Sequence, residues 1–183
     1  MRRGLCVRAC AAIAALGALV GCNRSSDPRA MYVEDFETVC DGAPCGWVQS
    51  SGEDGRALYV ETLPGDHGLE LIGDGTSVRS EAAEPLASFV FTSAIGARLV
   101  ARCDALSTLE LRTTVELEDE STLTLGREIV PEETWSTLLD DQTLNPVDAT
   151  PSPWRVRRVL GVSILKHGTG NCELDFLSIR ALD

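Results

Sequence analysis

Ten consecutive residues constrain this chain more than any other feature. Leu109, Leu111, Thr113, Val115 and Leu117 alternate with Glu110, Arg112, Thr114, Glu116 and Glu118. Successive side chains of a strand point to opposite faces, so a period of two predicts a strand with one face buried and one wet. That half-wet pattern belongs to antiparallel sheets; parallel strands are covered on both faces. Shorter runs of the same kind lie at 57–61, 69–72, 88–92, 98–103 and 159–165. Turn signals separate them, among them Asp54-Gly55, Gly65-Asp66, Gly73-Asp74-Gly75 and Gly168-Thr169-Gly170. No stretch after residue 30 carries a sustained helical stripe, and 81–86 has room for one turn at most. Roughly ten short strands with regular turns predict an all-β chain folded as a single antiparallel β-sandwich over 31–183. In the final run Cys172, Leu174 and Phe176 share one phase while Leu177 and Ile179 take the other. Such a switch marks a bulge, or a central strand covered on both faces.

The amino terminus reads as an address. Residues 1–8 hold Arg2, Arg3 and Arg8 and no acid, and 9–20 form an apolar run closed by Gly21 and Cys22. A basic start and a short apolar helix make a secretory signal, too short for the ~20 residues of a spanning helix. Leu19-Val20-Gly21-Cys22 resembles the lipobox of bacterial lipoproteins. The resemblance implies a signal over 1–21, acyl chains such as palmitate on Cys22, and a polar tether over 22–30. Asn23 in place of Asp after the cysteine implies sorting to the outer membrane. More than one acyl chain makes such an anchor stable.

Charge narrows the partners. Sixteen basic residues face 28 acidic ones, for a net charge of −12, and loss of the signal removes three arginines and no acid. A nucleic-acid binder needs a basic face that this composition does not supply. Lys166 is the sole lysine.

Seven cysteines reduce to four in the exported chain. Cys6 and Cys10 leave with the signal and Cys22 takes lipid, so Cys40, Cys45, Cys103 and Cys172 remain. An even number in an oxidising compartment predicts disulfides, with three connectivities open. The segment Cys40-Asp41-Gly42-Ala43-Pro44-Cys45 forms turns readily, so its ends are paired locally, and Cys103 with Cys172 follows by elimination. Zinc would need cysteines or histidines at metal spacing, and His67 and His167 stand isolated.

Asp35-Phe36-Glu37 followed by Gly46-Trp47 resembles the opening of galactose-binding-like jelly rolls, a group that includes many carbohydrate-binding modules, and implies a first strand at Phe-Glu. The close, Glu173-Leu174-Asp175-Phe176-Leu177-Ser178-Ile179, is similar to their last strand, and Trp135 and the run 155–165 fall where their late strands lie. The likeness touches both ends of the domain and fades between residues 58 and 125, and the cysteine-bounded insert before Trp47 departs from it. It implies a jelly roll that binds glycan or a cell-envelope polymer. It further implies a structural calcium where first and last strands meet, held by Glu37 and Asp175 with backbone and water oxygens, since calcium takes six to eight oxygen ligands.

Sugar binding calls for an aromatic face beside polar groups. Trp47 and the phenylalanines sit in apolar contexts that suit a core. Trp135 and Trp154, with polar neighbours, are the rings that suit a ligand platform, against the competing reading of core or edge packing. The acidic run 116–120 reads as a solvated hairpin end. No Gly-x-Ser-x-Gly elbow is present, and Glu132, Glu133, Asp140 and Asp141 are carboxylates without a diagnostic pattern. The chain is expected to be no enzyme. Two functions follow: an envelope-anchored, non-catalytic ligand-binding module, or a structural or protein-interaction lipoprotein.

Overall fold

The computed structural model describes residues 28–41, 43–49, 55–80, 91–137, 139, 142–148 and 153–183. The signal, Cys22, most of the strand expected at 88–92, Asp140 and Asp141 lie outside them. Strands follow in the order β1 (Ala30–Glu34), β2 (Val39–Cys40), β3 (Ala43–Pro44), β4 (Trp47–Gln49), β5 (Arg56–Leu63), β6 (Asp66–Ile72) and β7 (Ser77–Ser80). The chain continues with β8 (Ile95–Cys103), β9 (Thr108–Leu117), β10 (Thr122–Ile129), β11 (Ser136–Thr137) and β12 (Gln142–Thr143). It ends with β13 (Asn145–Pro146), β14 (Val156–His167) and β15 (Cys172–Ala181). Among the described residues no helix is long and apolar enough to cross a membrane.

Every pairing is antiparallel. One sheet runs β11-β8-β15-β6-β5, with β1 added to β15 and β12 to β8; a second runs β13-β10-β9-β14-β7-β4, and β2 and β3 pair as a separate two-stranded sheet. The strand read first from the sequence, β9, lies between β10 and β14. Its residues Leu109, Leu111, Thr113, Val115 and Leu117 are all buried. Across the sandwich they meet the inward row Ile95, Ala97, Leu99 and Ala101 of β8 and Leu174, Leu177 and Ile179 of β15.

The phase switch in the last strand has both of its expected causes. The register of β15 on β8 slips between Leu174 and Phe176, so Asp175 is the extra residue of a bulge. β15 is also central, with β8 on one side and β6 and β1 on the other. Gly68 of β6 passes so close to this bulge that a Cβ there would overlap the Leu174 carbonyl oxygen. Both disulfides form as paired: Cys40–Cys45 closes the β2–β3 hairpin, and Cys103–Cys172 joins directly opposed residues of β8 and β15.

Three details differ from the sequence expectation. The Phe-Glu segment is not strand: β1 stops at Glu34, and Phe36 follows at φ 55°. Glu34 holds that turn, accepting the Phe36 N–H (2.9 Å) and the Trp47 indole N–H (2.7 Å), while the Phe36 and Trp47 rings pack at 5.4 Å. A buried indole needs such an acceptor. Glu116 is buried instead of solvated, because Arg157 and Arg158 converge on its carboxylate at 3.0 and 2.6 Å. Phe91 is 46% exposed, its ring under the Arg155 guanidinium.

Candidate functional site

One outward row of the larger sheet gathers the polar groups of the site. Glu70 of β6 stands opposite Glu173 of β15, and Glu173 opposite Arg102 of β8. The next residues in register, Leu69, Leu174 and Ala101, point into the core, so this row faces out. Opposite charges directly across a pleat attract. Arg102 donates from Nε to Glu173 Oε2 (3.1 Å) and from Nη2 to Oε1 (2.8 Å), a fork-on-fork pair. The Glu173 hydrogen bonds raise the pKa of Arg102 further.

β11 extends the row. Ser136 pairs with Ala101, which places Trp135 beside Arg102, and the guanidinium carbon stands 5.1 Å from the indole centroid. A cation over an indole face is attracted by the ring quadrupole. Trp135 is half-buried and keeps part of its ring in solvent.

The wall comes from two turns. Asp104 donates its backbone N–H to Asn171 O (2.8 Å), and Asn171 returns its own to Asp104 Oδ2 (2.9 Å). Asn171 also donates Nδ2–H to Glu70 Oε1 (3.0 Å). Cys103 donates its N–H to Glu132 O (3.0 Å), which draws the segment carrying Glu133 to the rim. The result is a cavity of about 220 Å³ lined by Arg102, Cys103, Asp104, Glu133, Asn171 and Glu173. Behind it the buried Lys166 ammonium donates to Gly73 O (3.0 Å) and Gly168 O (2.5 Å), fixing the β14–β15 turn; burial lowers its pKa.

The two expected tryptophans part company. Trp135 stands beside Arg102 of the cavity wall, whereas Trp154 packs against the core just before Val156, which pairs with Leu117. β8 ends and β9 begins at the Trp135 end, so the two rings sit at opposite ends of the sandwich and make no common platform. Arg102, Asp104, Asn171 and Glu173 escaped the sequence reading. They come from the facing ends of β8 and β15 and the turns beside them, and only the Cys103–Cys172 pairing hinted that those neighbourhoods meet.

Glu37 and Asp175 are placed differently. Glu37 Oε1 accepts the His67 N–H (2.9 Å) and its Oε2 lies 3.5 Å from His67 Nδ1, whose ring stacks on Tyr59. Partial desolvation would raise the Glu37 pKa, but hydrogen bonds with Asp66 and His67 outweigh it and lower it. Asp175 is buried in the bulge of β15. Among the described residues no three or more His, Cys, Asp or Glu side chains converge as a metal cage.

No family model and no curated protein matches the chain. Solved structures do. The Family 11 Carbohydrate-Binding Module of Clostridium thermocellum, in complex with a β-1,3-1,4-mixed-linked tetrasaccharide, superposes with a TM-score of 0.55 at 12% identity, over 86% of this chain and 99% of that one. The CBM22-1–GH10 modules of endo-1,4-β-D-xylanase 10B from the same organism, complexed with xylohexaose, give a TM-score of 0.50 at 15% identity. That match covers 85% of this chain, which spans 29% of the xylanase chain. The fold is therefore the antiparallel β-sandwich of carbohydrate-binding modules.

Proposed function

We propose that this protein is a non-catalytic glycan-binding module held at the cell envelope by lipid on Cys22, with its glycan site at the cavity beside Trp135. The observation that carries the reading is Trp135 itself, a half-buried indole with the Arg102 guanidinium over its ring, Arg102 being also part of the cavity wall with carboxylates and an amide. A sugar ring lays its C–H face on such a surface and directs hydroxyls to flanking polar groups. Cys103 in the cavity wall is tied up in a disulfide. Fold likeness supports the reading without identifying a ligand. The jelly-roll resemblance adds calcium, with Glu37 and Asp175 as the carboxylates that would approach it.

A screen of the purified chain against a glycan array, with and without calcium, tests the proposal. Retention of a glycan that is lost in Trp135→Ala supports it, and retention of none overturns it. The other reading, a protein-interaction lipoprotein, draws on Leu106 and Val130, which are 89% and 78% exposed at the same end of the sandwich. In that case Leu106→Ser, and not Trp135→Ala, abolishes the function.

A further inference from the structure

The hydrogen-bonding character of the cavity selects among glycans. Its donors are largely consumed within the protein. Arg102 spends Nε and Nη2 on Glu173, and Asn171 spends Nδ2 on Glu70. The backbone N–H groups of Cys103, Asp104 and Asn171 are given to Glu132 O, Asn171 O and Asp104 Oδ2. Arg102 Nη1 makes no hydrogen bond among the described residues. The lining is rich in acceptor-bearing side chains: Asp104, Glu133, Glu173 and the amide of Asn171. An ionised carboxylate only accepts, so the carboxylates among them suit a ligand that brings donors.

Charge points the same way and is a separate fact. Around the cavity stand Glu70 from β6, Asp104 from the β8–β9 turn, Glu133 from the segment before β11 and Glu173 from β15. Against them are Arg102, already neutralised by Glu173, and the Lys166 ammonium buried behind the turn, close enough to Asp104 to feel its charge. A chain of net charge −12 adds to the field. Three carboxylates against one paired guanidinium make the lining a better match for a cation that brings donors than for an anionic sugar. At about 220 Å³ it is smaller than the ~300–1,000 Å³ of drug-sized ligand sites, so it holds one sugar unit of a chain.

We infer that the cavity binds the protonated amine of an amino-sugar unit within a glycan, an inference that rests on the glycan-binding reading above. The ammonium supplies three donors to Asp104, Glu133 and Asn171, while the ring lies toward Trp135.

Two oligosaccharides with one backbone isolate the claim: a β-1,4-glucosamine hexamer and its fully N-acetylated form. Isothermal titration of the chain at pH 5.5 should show the amine form binding about tenfold or more tightly, the scale of a hydrogen bond between charged groups. The preference should shrink with salt and as the amine loses its proton. Glu133→Gln, at an exposed position that cannot unfold the chain, should remove the preference, as should Asp104→Asn, which keeps an acceptor for the Asn171 N–H. Asp119→Asn, on the remote β9–β10 turn, should leave it intact and so separates the cavity from general attraction to an acidic surface. Equal binding of both hexamers overturns the amine inference and leaves glycan binding standing. A preference that survives Glu133→Gln and Asp104→Asn removes it from this cavity. If neither hexamer binds while the array retains a neutral or anionic glycan, the amine inference alone fails; if nothing is retained, the function fails with it.

Discussion

At the residue scale, close approaches and hydrogen-bonded carboxylates decide the sensitive positions. Gly68 is glycine because β6 crosses the Asp175 bulge with no room for a side chain. Gly68→Ala should therefore destabilise the fold by about 1–3 kcal/mol, the range for overpacking, seen as a lower urea midpoint with the m-value unchanged. Asp183 accepts from Ser93 Oγ (2.6 Å), from Thr92 Oγ1 and from the Ser93 N–H (3.1 Å), which together pull its pKa down to about 2. An unfolded aspartate titrates near 3.9, so the folded state binds its proton less readily. The stabilisation is complete above about pH 4 and disappears as pH falls toward 2. Urea midpoints of Asp183→Asn should fall below those of the parent at neutral pH, and the gap should close over that acid window. Identical acid limbs would show that the three hydrogen bonds contribute nothing in solution. Neither residue announced itself: a lone glycine and a lone aspartate acquire meaning only from the strand or turn placed against them.

At the element scale, the two disulfides differ in reach. Cys40–Cys45 closes a short hairpin loop, whereas Cys103–Cys172 spans 69 residues and clamps β8 to β15 beneath the cavity. Loop entropy predicts about 2 kcal/mol for the first and about 4 kcal/mol for the second. Replacing Cys103 and Cys172 together by alanine should cost more stability than replacing Cys40 and Cys45. It should also loosen the Asp104–Asn171 contact that forms the cavity wall. Thermal melts and tryptophan fluorescence of the two double variants check the order, and a larger loss from the hairpin pair would contradict it. The long alternating strand, the bulge and the pairing of cysteines could be read from spacing, since each depends on local period or turn chemistry. Short edge strands such as β11 and β12 could not; these two-residue strands exist because the longer β8 offers its free edge.

At the scale of the whole molecule, two expectations from resemblance become experiments. Cys22→Ser should abolish incorporation of labelled palmitate and release the protein from membranes, while unchanged labelling would end the lipoprotein reading. Calcium, if it joins first and last strands, binds only the folded chain. A hundredfold excess over Kd then adds about 2.7 kcal/mol and raises the melting temperature by roughly 5–10 °C. Glu37→Gln and Asp175→Asn should each erase that shift. Sodium at matched ionic strength is the control, since an acidic chain also gains from screening alone. A response that survives both substitutions would detach calcium from these residues.

The residue pattern alone determined the antiparallel architecture, the inward-facing half of β9, both disulfides and the net acidity. Those properties follow from period, turn chemistry, parity and charge, which act along the chain or add without regard to position. The tertiary structure alone decided that Trp135 stands against Arg102 while Trp154 packs on the core, that Glu34 receives the Trp47 indole, and that Glu116 is buried between two arginines. Each of those depends on which strand lies beside which. Strand neighbours far apart in sequence are chosen by the packing of two whole sheets, and no local pattern carries that choice.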